Sequence, residues 1–111
     1  MTTGEILRCD VERAKDDELG NKVTIVRCHG RLASATSGDL KAVVKPLISS
    51  GGRIILDVSN ISHLDSSGLG TLVGLKASAI KQGYCILELG NMTPRILELL
   101  RITNLTQMFT K

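Results

Sequence analysis

The segment Arg53-Ile54-Ile55-Leu56-Asp57-Val58 is short, β-branched and almost continuously apolar, and soon after it an apolar spacing of three and four residues takes over at Leu69, Leu72, Val73, Lys76 and Ile80. The first pattern is that of a strand buried on both faces. The second is an amphipathic helix, with Lys76 laying its stem along the apolar stripe and reaching water. A strand that feeds a helix in this way restricts the fold to layered α/β arrangements with right-handed crossovers and parallel neighbours.

The rest of the chain repeats the alternation. Leu7, Cys9 and Val11 alternate with Arg8, Asp10 and Glu12, a half-buried strand. A polar connection from Arg13 to Lys22, ending in Gly20-Asn21, leads to a second strand from Val23 to Arg31, and the two suggest an antiparallel pair. Leu40, Val43, Val44, Leu47 and Ile48 form a helical stripe that begins near Thr36, with Asp39 three residues on as a variant capping box. Pro46 should kink or shorten that helix, and Gly51-Gly52 ends it. After Gly83 comes a strand from Tyr84 to Leu89, then Thr93-Pro94 as cap and first helical residue. The last helix reaches about Thr103, with Ile96, Leu97, Leu99 and Leu100 as a broad apolar face.

With 111 residues and 42% hydrophobic content, the chain suits one domain, residues 1–111, with one core. Aromatics make up only 2%, essentially Tyr84 and Phe109, so that core is aliphatic, and the composition argues against binding single-stranded nucleic acid by base stacking. The net charge of +3 comes without adjacent basic residues, so direct nucleic acid binding is not expected. Cys9, Cys28 and Cys85 lack metal or redox spacing and read as small buried residues of a reduced compartment. No apolar run approaches the ~20 residues of a membrane segment, and a cytoplasmic chain without cofactor or metal is expected.

The junction between the central strand and its helix is Asp65-Ser66-Ser67-Gly68-Leu69-Gly70. Short oxygen side chains belong at a helix N-terminus, where backbone N–H groups lack partners. The seven residues from Ser59 to Asp65 read as a loop pinned by Ile61 and Leu64, displaying two serines on a rigid mount. Two enzyme readings fail here. Gly68, Gly70 and Gly74 open a helix in a dinucleotide-like pattern, but nine residues lie between Val58 and Gly68, whereas a phosphate-binding turn follows its strand directly. Close packing of Gly70 and Gly74 on the sheet explains those glycines better. His63, Asp65 and the two serines fall within five residues, too close for a catalytic triad, and the G-x-S-x-G elbow is absent. The other histidine, His29, has no evident partner.

The order of strand, I-S-H-L, D-S-S-G-L-G, amphipathic helix, Gly83, strand and Leu-rich helix resembles the STAS domain family, in particular the bacterial anti-sigma-factor antagonists. The most specific match is Leu56-Asp57-Val58 with Leu64 to Gly70, supported by Gly30-Arg31-Leu32 and by Pro94 to Leu100; the likeness runs from about Leu7 to Phe109. It implies a single STAS-like α/β domain: a mixed sheet of four to five strands in sequential order, the first antiparallel and the others parallel, with helices mainly on one face. It also implies that Ser67, or alternatively Ser66, is phosphorylated by a partner that is both serine kinase and anti-sigma factor. Asp65, Ser66 and Gly68 then surround the phosphosite, and Arg31, Ala33, His63, Leu64, Gly68 and Leu69 are the expected partner-binding residues.

On this resemblance the chain is a non-enzymatic switch: unmodified, it binds the anti-sigma factor and frees a sigma factor, and a phosphatase resets it. Ala33 departs from the pattern, since an acidic residue often follows the G-x-L of the second strand. That departure supports a second reading, a STAS scaffold that does not switch, or an accessory subunit of a signalling or lipid-transport assembly. Asn104 stands where a glycine often ends the last helix, and tolerates the left-handed conformation nearly as well.

Overall fold

A computed structural model describes residues 6–109. Its elements are β1 (Leu7–Ala14), β2 (Val23–Leu32), α1 (Ser37–Ser50), β3 (Gly52–Leu64), α2 (Ser66–Gln82), β4 (Cys85–Gly90), α3 (Pro94–Ile102) and the short α4 (Thr106–Phe109). The four strands lie in sequential order, as the family resemblance implies, with β1 antiparallel to β2 and the rest parallel, as the alternation of patterns predicts. Both parallel connections are helical crossovers. In a sequentially ordered sheet their shared right hand puts α1 and α2 on the same face.

That face carries the core. Val26, Leu56, Val58 and Leu87 from the strands meet Leu40, Val44, Leu72 and Leu100 from the helices, all with no exposed surface. The opposite face of the sheet is open and charged, which corrects the reading of the central strand as buried on both faces. Ile54, Leu56 and Val58 point inward, while Arg53, Ile55 and Asp57 are only half-buried on the other side. Ion pairs cross the open face, Arg27 with Glu12 and Arg53 with Glu88 at 2.8 Å, and His29 Nε2 stands 3.2 Å from the Asp10 carboxylate, the partner that His29 lacked in the sequence.

The largest departure from expectation is in β3. The segment Ser59 to Leu64 is not a loop but the second half of this strand, paired with β2 as far as Leu32↔Leu64. Two register shifts let it continue: Arg27 pairs with Asp57 and His29 with Asn60, then Gly30 with Ile61 and Arg31 with His63, so β3 carries one extra residue at each. Bulges of this kind bend a strand and hide its periodicity from a reading that counts alternate residues. β4 ends at Gly90 opposite Asp57, so beyond that point β3 pairs with β2.

Smaller corrections follow from packing. α1 runs through Pro46 to Ser50 and is not shortened. Ile80 is exposed, and Leu75 and Ala79 fill the α2 stripe instead. Lys76 is half-buried, and its Nζ donates to the Leu87 carbonyl at 2.7 Å. Thr93 caps α3 through the Ile96 N–H, Pro94 follows it, and Asn104 takes the expected left-handed conformation. Among the described residues, no helix is long and apolar enough to cross a membrane.

Candidate functional site

The carboxyl ends of β2 and β3 are neighbours, so the turns that leave them meet at one end of the sheet. From β3 the chain passes directly into α2. Asp65 is the N-cap, in extended conformation, and its Oδ1 accepts from the Gly68 N–H at 2.8 Å. Its carbonyl accepts from the Leu69 N–H at 2.9 Å, the first bond of the helix. Ser66 and Ser67 occupy the first turn, and both are exposed.

From β2 the chain makes a tight turn into α1. Thr36 is the N-cap but caps nothing with its side chain, which corrects the capping-box expectation. Its hydroxyl, fully buried, donates to the Arg31 carbonyl at 2.7 Å and accepts from the Ala33 N–H at 3.0 Å. The Ala33 carbonyl in turn accepts from the Ser37 N–H and hydroxyl. Ala33 is therefore a knot of backbone bonds, and only 6% of its surface is exposed.

Two contacts join the turns. A Cβ on Gly68 would overlap the Leu32 carbonyl oxygen and stand 2.8 Å from Leu64 Cδ1, so only glycine fits there. Thr71, one helical turn beyond Ser67, holds its hydroxyl 3.0 Å from the Ser67 carbonyl and 2.8 Å from Ser37 Oγ. The backbone of Ser67 is thereby tied to α1 through two hydroxyls. Beside it a shallow depression of about 410 Å³ is lined by Ser34, Ser37, Lys41, Ser67, Gly70, Thr71 and Gly74. Of these, Ser34, Ser37, Lys41 and Thr71 were not singled out from the sequence. The spacing of Ser67 and Thr71 by four residues was the available signal.

The glycine reading changes as a result. Gly68 is the glycine that packs on the end of the sheet, whereas Gly70 and Gly74 have open space where a Cβ would stand and face the depression. The ground for setting aside a dinucleotide turn also changes. Gly68 follows the true end of β3 closely, but its N–H already holds the Asp65 carboxylate, which takes the place an anion would need. Among the expected contact residues, Ala33, Leu64, Gly68 and Leu69 are buried and shape the turn. Arg31 and His63 are half-buried, and His63 lines a small cleft with Thr93, Arg95 and Ile96 of the α3 start. The exposed surface at this end thus centres on Ser66, Ser67 and the depression.

Comparison with known proteins bears on what such an end of a sheet does. A family model described as the STAS domain matches residues 14–111. The chain is 30% identical over 90 residues to a STAS-domain containing protein of Pseudomonas aeruginosa (strain UCBPP-PA14), covering 81% of this chain and 87% of that protein. It is 35% identical over 66 residues to the anti-sigma-B factor antagonist of Bacillus subtilis (strain 168), 60% of each. The crystal structure of an anti-sigma factor antagonist from Mycobacterium paratuberculosis matches with a TM-score of 0.79 at 19% identity, over 99% of this chain and 88% of that one, a likeness of fold.

Proposed function

Because the chain belongs to the STAS domain family, we propose that it is an anti-sigma factor antagonist, a protein-interaction switch controlled by phosphorylation of Ser67. In its unmodified form it binds a cytoplasmic anti-sigma factor that is also a serine kinase, and the sigma factor goes free. The kinase transfers the terminal phosphoryl group of ATP to Ser67 Oγ, and the modified chain lets go. A phosphatase returns it to the binding form. The chain performs no catalysis in this cycle.

The observation that carries the reading is the separation of structural and displayed groups within one helical turn. Asp65 meets the capping requirement of α2 through Gly68 N–H, so the exposed Ser67 hydroxyl has no fold to maintain and is open to modification. A phosphoserine brings close to two negative charges. At a helix N-terminus such charge is favoured by roughly 0.3–1 kcal/mol, so the fold tolerates it. A partner packed over this turn would have to desolvate it, which it cannot do cheaply. Incubation with the cognate kinase and ATP, followed by mass spectrometry, should place phosphate on Ser67. Undiminished labelling of Ser67→Ala would move the site to Ser66 or end the assignment.

The scaffold reading, a STAS module in a signalling or lipid-transport assembly that does not switch, is favoured by Ala33. Its methyl is buried beside the Ser67 turn, where an acidic side chain would reach toward the kinase or order the serines. Binding that is indifferent to a charge at position 67 would select this alternative.

A further inference from the structure

The chain has three cysteines, and the fold brings two of them together in a way their sequence spacing does not suggest. Cys9 on β1 is directly opposite Cys28 on β2 in the antiparallel ladder. Their side chains therefore leave the same face of the sheet. The phase of the ladder can be read from the bond between Arg31 N–H and the Ile6 carbonyl, which makes that opposed pair a hydrogen-bonded one. Three steps along in the same unbroken register, Cys9 and Cys28 form a non-hydrogen-bonded pair, the kind with the closest side chains, Cα atoms typically about 4.5 Å apart. That falls inside the range a disulfide spans.

We propose that Cys9 and Cys28 are an oxidation site, at which a peroxide closes a reversible cross-strand disulfide between β1 and β2. All three cysteines are free thiols in this structure, and the two partners differ in a way that gives each a step. Cys9 is half-buried and reachable, whereas Cys28 is 1% exposed. The hydrogen bond from Cys28 favours the Cys9 thiolate and holds its pKa below the usual thiol range, against its own partial burial and the nearby Asp39 and Asp10. Cys28 is raised, by that same bond and by burial, and stays a thiol. The Cys9 thiolate attacks one peroxide oxygen, the O–O bond breaks, and Cys9 becomes a sulfenic acid as hydroxide leaves. Cys28 sulfur then attacks Cys9 sulfur; the sulfenic oxygen departs as water with the Cys28 proton. Two thiols have lost two electrons and one peroxide has been reduced. A dithiol reverses the reaction by exchange.

The bond would lie on the strand that leads into the candidate site. Cys28 is four residues before Leu32, whose carbonyl Gly68 packs against, and β1 is the edge strand, paired in the sheet with β2 alone. Closing the pair fastens that edge to the strand that supports the Ala33 turn.

The test uses the full chain and hydrogen peroxide, then alkylation of remaining thiols and tryptic mapping. Cleavage after Arg8, Arg13, Arg27 and Arg31 isolates Cys9–Arg13 and Cys28–Arg31 as separate short peptides. They should appear joined, two hydrogens lighter than their sum, and separate again after dithiothreitol. Free thiols should fall from three per chain to one, the survivor being Cys85. Cys85→Ser should still form the link, and the oxidised chain should melt higher than the reduced one. Three free thiols after peroxide, a stable sulfinic acid on Cys9, or Cys9 linked between two chains would each overturn the proposal. None of these readouts depends on a kinase, so the result stands apart from the phosphorylation reading.

Discussion

The two turns that leave β2 and β3 occupy equivalent places in successive strand–helix units, yet they treat their hydroxyls in opposite ways. In the β2–α1 turn, Thr36 is fully buried and bonds the Arg31 carbonyl and the Ala33 N–H, and Ser37 bonds the Ala33 carbonyl. In the β3–α2 turn the carboxylate of Asp65 does the capping, leaving Ser66 and Ser67 exposed. The first turn is a structural buttress and the second is a display. The second depends on the first, because Gly68 leans on the Leu32 carbonyl and Ser67 is tied through Thr71 to Ser37.

The sharpest way to break this arrangement is Gly68→Ala. The new methyl overlaps the Leu32 carbonyl oxygen, a backbone atom that cannot step aside, so the loss should be about 3 kcal/mol or more in chemical denaturation. Gly70→Ala, two residues on, has open space and gains helix propensity, so it should be neutral or stabilising by about 0.5–1 kcal/mol. Equal effects would mean that the contact between the turns is not what positions α2.

The next effect separates the two caps. Thr36→Val keeps the shape but removes the buried hydroxyl, leaving the Ala33 N–H without its acceptor, and should cost about 1–3 kcal/mol. Asp65→Ala removes an exposed-side cap and should cost about 1 kcal/mol. A larger loss for Asp65 than for Thr36 would reverse the assignment of buttress and display. Both follow from the same denaturant titration.

How much of this was legible in the sequence depends on what each residue's role is local to. The strand order rests on the family resemblance, whereas the antiparallel first pair and the caps Asp65 and Thr93-Pro94 follow from patterns that neighbours in sequence decide. The end of β3 did not, because its pairing lies with β2, and the two bulges between Asp57 and His63 break the alternation that marks a strand. Thr36 looked like a cap for the same reason: a Thr before a helix favours capping locally, but the Arg31 carbonyl, brought back by the tight turn, competes for its hydroxyl. Gly70 and Gly74 looked like packing glycines, and only the Leu32 carbonyl and the Leu64 side chain, brought against Gly68 by the fold, tell that of the three it alone is one. The pair Cys9 and Cys28 was invisible for want of a register.

Ser67→Asp tests the display directly. The hydroxyl holds no structural bond that the substitution removes, and the helix terminus accepts negative charge, so stability should stay within about 0.5 kcal/mol of the parent. Binding to the anti-sigma partner should nevertheless fall, measured by calorimetry on both forms. Unchanged binding would remove the charge-exclusion mechanism and leave the scaffold reading.

The smallest expected effect belongs to Ala33→Asp, which asks whether the buttress also takes part in the display. Ala33 lies between Leu32, which Gly68 touches, and the depression that Ser34 and Ser67 share. A carboxylate there has to reach out of a site that leaves a methyl only 6% exposed, so the substitution is not free of cost to the turn. If it reaches the surface it can order the serines or pair with a base on the kinase. One exposed ion pair is worth about 0.2–1 kcal/mol, so the initial phosphorylation rate should rise by no more than about fivefold. Melting curves recorded on the same preparations separate this from simple loosening, since a turn that frays would lower the melting temperature while freeing the Ser67 backbone. A faster rate with unchanged melting makes Ala33 a brake on the switch. Equal and already fast rates in both forms would show that this position plays no part in it, and would remove the feature that most favours a scaffold without a cycle.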